Sequence, residues 1–244
     1  MDGVRYPIVE LRQYTLRPGQ RDVLIDLFDR ELVETQEAEG MAILGQFRDM
    51  DRPDRFVWLR GFTDMERRAQ ALTSFYTGPA WRAHSAQANA TMIDSDNVLL
   101  LRPADSSRGF PSPAAPRAAA GCSAPPPSRL LATICYRDQP FDEAFAGYFD
   151  RHVRPVLAGA GGMPLACLQT EYAENTFPAL PVRTGENVFA WFTLFLSQAQ
   201  LSDYLDWLDR PGPWQDQVLP RLLATISSAP QQLKLSPTAR SLLR

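Results

Sequence analysis

Residues 7–16, PIVELRQYTL, alternate: Val9, Leu11 and Gln13 fall on one side, Glu10, Arg12 and Tyr14 on the other. A period of two is that of a strand, here with one mainly apolar and one polar-aromatic face. After the turn RPG (17–19) the period lengthens: Leu24, Leu27, Phe28 and Leu32 recur at three- and four-residue spacing, predicting an amphipathic helix that ends at Gly40. MAILGQFR (41–48) and RFVWLRGF (55–62) read as strands joined by the turn DMDRPD. TDMERRAQALTSFY and GPAWRAHSAQANATMI read as two helices broken at Gly78-Pro79, the first capped by Thr63 or Asp64. DNVLLLRP closes as a strand. The predicted order is β-α-β-β-α-β, the ferredoxin-like split βαβ arrangement.

That order returns further on, as LLATICY, the helix FDEAFAGYFDRHVRPVLAG, PLACLQTEY, NVFAWFTLF, two helical stretches and QQLKL. Short matches keep the same sequence of events. FDRELV (28–33) meets FDRHVRP (149–155) 121 residues on, and Gly40-Met41 meets Gly162-Met163 after 122. FVW (56–58) meets FAW (189–191), and TGPAW (77–81) meets RPGPW (210–214), both after 133. The jump in offset places an insertion inside EYAENTFPALPVRTGEN (171–187). A repeat of this length suits a duplicated domain rather than a solenoid unit. The expected organisation is a first domain over 1–102, a Pro/Ala/Ser-rich linker over 103–129, and a diverged second domain over 130–244. Helices on one face of each four-stranded sheet leave the other bare, so the two bare faces pack as a sandwich or close into a barrel.

Composition narrows the setting. The chain has 244 residues, 45% hydrophobic and 22% charged, enough for a real core. A net charge of −3 offers no overall footprint for nucleic acid. The 25 basic residues include a single lysine, Lys234, a bias that reads as a high-GC bacterial coding sequence. Cys122, Cys135 and Cys167 form no CxxC pair and leave one over, so reduced thiols are expected. With no signal-peptide pattern in MDGVRYPIVELRQY and no long apolar run, the expectation is a soluble cytoplasmic protein without a membrane span.

The run VELRQYTLRPGQRDVLIDLF (9–28) resembles the opening motif of the NIPSNAP family: Glu-Leu-Arg-x-Tyr-x-Leu, a basic-Pro-Gly turn, then a helix. FVWLRGFTDMERRAQAL and the GPAW segment are similar to that family's later strand, arginine-bearing helix and tryptophan. The resemblance is specific over 8–102 and weak over 130–236, where LLATICY stands in place of the motif. It implies the dimeric α+β barrel superfamily, in which two ferredoxin-like units pair into a barrel. Here the pair would be the two halves of one chain, a monomer acting as a pseudo-dimer, or the chain would still form a homodimer. Relatives on that scaffold include cofactor-free monooxygenases, polyketide cyclases, muconolactone-type isomerases and haem proteins, so the fold does not settle the reaction.

Several residues are candidates for chemistry. Glu10, Arg12 and Tyr14 share a strand face and would supply a base, a cation and a phenol, or else a structural ion-pair lattice. Trp58, Trp81, Trp191 and Trp214 would wall a ligand pocket or simply pack the core, and Arg60 follows Trp58 on the same face. His84 is a second candidate for proton transfer. His152 is the residue a haem would need, with a surface role as the bland alternative. No metal-binding spacing, P-loop, GxGxxG or GxSxG occurs, so no metal and no cofactor is assigned. The Phe-Asp-Arg repeats read as fold contacts, an ion pair or a helix–helix contact. The expected function is binding of a small apolar or oxygenated molecule, with a cofactor-free monooxygenase, isomerase or cyclase as the enzymatic form. The alternative is a non-catalytic ligand-binding or protein-interaction module.

Overall fold

The computed structural model describes residues 6–113 and 115–244; the start of the first predicted domain (1–5) and Ala114 of the linker lie outside the described residues. Among the described residues nine strands form: β1 (Ile8–Leu16), β2 (Ala42–Asp49), β3 (Arg55–Phe62), β4 (Met92–Asp94), β5 (Val98–Pro103), β6 (Arg129–Arg137), β7 (Ala166–Thr170), β8 (Asn187–Phe195) and β9 (Gln231–Pro237). Eight of them run in the order β3-β2-β9-β6-β8-β7-β5-β1, and β1 pairs back onto β3. The sheet is thus a closed, wholly antiparallel barrel, with the short β4 added alongside β1. Closure leaves no free edge on those eight strands, the strongest protection a sheet has against aggregation.

The first half contributes β2-β3-β1-β5 and the second β7-β8-β6-β9, so each half lends four neighbouring strands. The halves meet where β2 pairs β9 and β5 pairs β7. Helices cover the outside. In the first half they are Arg21–Leu27 continuing through Phe28–Leu32 into Val33–Ala38, then Met65–Thr77 and Pro79–Thr91. In the second they are Glu143–Tyr148 through Phe149–Val153 to Arg154–Gly159, then Gln198–Asp209, and Pro213–Val218 into Leu219–Leu223. Both long N-terminal helices widen to a π-helical turn at their Phe-Asp-Arg repeat. Asp29 accepts from Gln46 on β2 and Asp150 pairs with Arg108, so the repeat ties each helix to sheet or linker.

Strand alternation decides what fills the barrel. Val9 and Leu11 of β1 point inward with Val57, Leu59, Ala132, Ala190, Phe192 and Leu235, all essentially inaccessible to water. An eight-stranded barrel is just wide enough for side chains to fill it, and this one is filled. The opposite residues, Glu10, Arg12 and Tyr14, face out and lie beneath the helices. The interior is therefore packing, and space for a ligand has to come from the layer between sheet and helices.

Among the described residues of 104–128 the linker contains no helix or strand, yet it is docked. Phe110 enters the barrel core against Phe192, with ring centroids 4.9 Å apart. Arg117 donates to Glu37, Ile43 O and Arg240 O. One predicted match shifts by a residue. The left-handed glycine that closes the first long helix is Gly40 (φ 90°), and its counterpart is Gly161 (φ 84°), not Gly162. A Cβ on Gly162 would lie 2.1 Å from the Tyr204 ring, so that glycine serves a close approach.

Candidate functional site

The outer face of β1 and β3 carries a buried charge cluster. Glu10 and Arg60 are register partners, as are Arg12 and Trp58, which stacks the four on one face. Glu10 Oε2 accepts from Arg12 Nη1 at 2.6 Å and Arg60 Nε at 2.8 Å, and Glu10 Oε1 accepts from Arg68 Nε at 2.6 Å. All four side chains are at most 1% exposed. Arg12 Nε donates to the Tyr14 hydroxyl at 2.9 Å, and Arg60 Nη1 to Gln36 Oε1 at 3.3 Å. Burial alone would raise the Glu10 pKa, but Arg60, Arg12 and Arg68 outweigh it and hold the carboxyl well below the usual range. One carboxylate thus serves three guanidiniums, and no second acidic side chain among the described residues pairs with them.

The predicted residues divide accordingly. Glu10, Arg12, Tyr14, Trp58 and Arg60 come together, with the Arg12 and Arg60 guanidiniums 5.5 and 5.1 Å from the Trp58 ring. Trp81 packs nearby on Tyr76 and Phe75 and bounds, with Tyr14, Gln36 and Trp58, a residual void of about 20 Å³. That is room for a water-sized group. His84 lies elsewhere, 28% exposed, with Nε2 3.7 Å from Glu31. Trp191 sits in the other half, and His152 packs on Tyr148. Arg68 was not anticipated. Its signal was present, since it falls four residues before Leu72 and seven before Phe75, on the helix's buried face.

The matching layer of the second half is built differently. Trp191 faces Thr133 across β8 and β6 as Trp58 faces Arg12 across β3 and β1. Carrying that register along both strands sets Glu10 against Leu131, Tyr14 against Cys135, and Arg60 against Thr193. Arg68, four residues after its cap Asp64, corresponds to Leu201, four after its cap Ser197. The charge cluster has no counterpart. In its place a cavity of about 270 Å³ opens between sheet and helices, lined by Thr133, Leu157, Trp191, Tyr204, Leu208 and Trp214 among others. Trp191 Nε1 is buried and finds no acceptor among the described residues. Burial pushes the Tyr204 phenol up and the Cys135 thiol to about 12, so both stay protonated near neutral pH.

A wider depression of about 630 Å³ lies around Tyr136, Arg183, Glu186 and Gln231. Its groups already satisfy one another: Arg183 holds Glu186 at 2.5 Å and the Tyr136 hydroxyl at 3.0 Å. Among the described residues no cluster of three His, Cys, Asp or Glu could hold a metal ion, and no helix is long and apolar enough to cross a membrane.

Fold and site define an α+β protein built on a closed antiparallel barrel, with ligand-sized space outside the barrel. Solved structures share that architecture. A protein provisionally named a monooxygenase from Fusobacterium nucleatum aligns with a TM-score of 0.56 at 9% identity, over 96% of this chain and 93% of that one. Another of that provisional name, from Lactobacillus acidophilus, gives 0.55 at 12% over 96% and 94%. An anthrone oxidase-like protein gives 0.52 at 11% over 95% and 91%. At such identities the likeness is one of fold. No curated protein matches in sequence. Residues 9–108 match the NIPSNAP family, the stretch that contains the charge cluster's motif.

Proposed function

We propose that this is a small-molecule-binding protein whose ligand occupies the sheet–helix cavity of the second half. The observation that carries the reading is the pairing of about 270 Å³ of space, walled by Leu157, Trp191, Leu208 and Trp214 beside polar groups such as Thr133 and Gln232, with an unpartnered indole N–H. A buried donor without an acceptor is costly, and a ligand oxygen would relieve it. The ligand class is a planar or compact apolar molecule bearing a carbonyl or phenolic oxygen. Binding rather than proton transfer is the reading, because Tyr204 is held protonated and Asp209, the lining carboxylate, is solvent-exposed. The oxidations named for the fold's neighbours are compatible with such a ligand, and Asp209→Asn with an oxygen-uptake assay separates turnover from binding.

In the same reading the halves 1–102 and 130–244 are two ferredoxin-like copies, joined by 103–129, that form a pseudo-dimer in one chain. The two strand orders and the paired Phe-Asp-Arg turns support this. The cavity of about 270 Å³ belongs to the second copy, while Glu10, Arg12, Tyr14 and Arg60 of the first act together as a buried ionic unit, with His84 outside it.

The test is thermal melting and native mass spectrometry with 1,4-naphthoquinone and, as the oxygen-free comparison, naphthalene. The quinone at a hundredfold excess over its Kd stabilises by about 2.7 kcal/mol. Thr133→Phe, which fills the cavity, removes the effect, and Trp191→Phe erases the preference for quinone over hydrocarbon. No stabilisation by either probe, with a bare chain mass, ends this reading.

A further inference from the structure

The loop 171–186 between β7 and β8 is long for a hairpin, against 50–54 between β2 and β3, and it has no helix or strand. It does not stay with its own half. Asn175 Oδ1 and Thr176 Oγ1 accept from Arg68 Nη1 at 3.0 and 3.3 Å, reaching the charge cluster of the first half. Phe177 stacks on Tyr76 with centroids 5.9 Å apart and planes 28° from parallel. Leu180 and Val182 also pack on the first half's helices and sheet.

Beneath this loop the cluster is short of negative charge. Three buried guanidiniums share Glu10, leaving two positive charges out of water. Glu10 takes the Nε side of Arg68, so the outer Nη1/Nη2 edge is the one a carboxylate would grip with two bonds. The neutral oxygens of Asn175 and Thr176 meet Nη1, and Nη2 finds no acceptor among the described residues. Trp58 Nε1, also buried in this layer, is likewise unpartnered.

We infer that loop 171–186 is a lid over a second binding site, specific for an aromatic carboxylate. Within three residues the lid presents an acceptor oxygen to Arg68 and a phenyl ring to Tyr76, which is what such an acid would present. The acid displaces the lid, places its carboxylate on the open edge of Arg68, and stacks its ring where Phe177 lay. Its charge offsets the excess that neutral lid oxygens leave. The site is separate from the second half's cavity and independent of the reading given for it.

Isothermal titration of the full chain with 3-phenylpropanoate, and with 3-phenylpropanamide as its neutral likeness, tests this. The acid binds, and the amide binds about tenfold or more weakly, since it forfeits the charge-assisted bonds. Asn175→Ala/Phe177→Ala, which loosens the lid, tightens the acid about three- to tenfold. Arg68→Met loses it, and Thr133→Phe leaves it unchanged. Should Arg68→Met fail to fold, the lid variant still decides. Equal binding of acid and amide, no gain in the lid variant, or loss of binding in Thr133→Phe overturns the proposal. So does binding of phosphate or chloride in place of the aromatic acid.

Discussion

The two sheet–helix layers of this barrel share their tryptophans and their π-helical turns, yet one is wired with buried charge and the other is hollow. Where the first places Glu10, Arg12, Arg60 and Arg68, the second places Leu131, Thr133, Thr193 and Leu201. The first retains about 20 Å³ of free space, the second about 270 Å³. Long arginine side chains fill volume and demand partners, while threonine and leucine at the same positions do neither. The contrast teaches that a matched framework leaves the chemistry of its interior layer free to diverge, because the framework is held by main-chain pairing and by the filled barrel.

The sharpest way to break the comparison is to remove the shared carboxylate. Glu10→Gln leaves three buried guanidiniums without their anion and costs about 3–5 kcal/mol in urea unfolding. Leu131, its counterpart, has no such network to lose. Acid weakens the same point. A depressed pKa contributes stability above the ordinary carboxylate value of 4.5 and loses it as pH falls toward the folded-state value. The gap between wild type and Glu10→Gln is therefore full at pH 7 and shrinks progressively below 4.5.

Grafting sharpens the contrast from the other side. Glu10→Leu/Arg12→Thr/Arg60→Thr/Arg68→Leu imports the second half's residues and is more stable than Glu10→Gln alone, because no charge is left unpaired. It also opens space, so naphthoquinone then binds at two sites by native mass spectrometry. The smallest effect separates the two tryptophans. Trp58 has two guanidiniums within 5.5 Å of its ring and Trp191 none among the described residues. Trp58→Phe therefore costs about 1 kcal/mol more than Trp191→Phe in paired denaturation curves.

Much of this was legible in the chain. The alternation in β1 separated Val9 and Leu11 from Glu10, Arg12 and Tyr14, and the barrel interior and the charge cluster follow that division. The paired FxW strands led to the two tryptophan layers. Arg68 was readable from its place on an apolar helix face and was missed because arginine there counts as polar in the period. Trp214 was a candidate wall through its pairing with Trp81, but Tyr204 and Leu208 gave no sign of lining a cavity, since tyrosine and leucine at helical spacing announce burial and not the space beside it. The linker's composition likewise concealed Phe110, one ring among prolines and alanines that plugs the barrel core.

By itself the sequence determined most of the local order: the long strands and helices, the cap at Asp64, and which side chains share a face, though Met92 and Ile93, read as the end of a helix, fall in the short β4. Those follow from backbone sterics and near-neighbour patterning, which act over a few residues. The tertiary structure alone decided that the barrel closes through β2–β9 and β5–β7. It alone brought Asn175 to Arg68, 107 residues away, and left about 270 Å³ beside Trp191 against about 20 Å³ beside Trp58. Such outcomes depend on how many distant surfaces fit at once, and no local period encodes that sum.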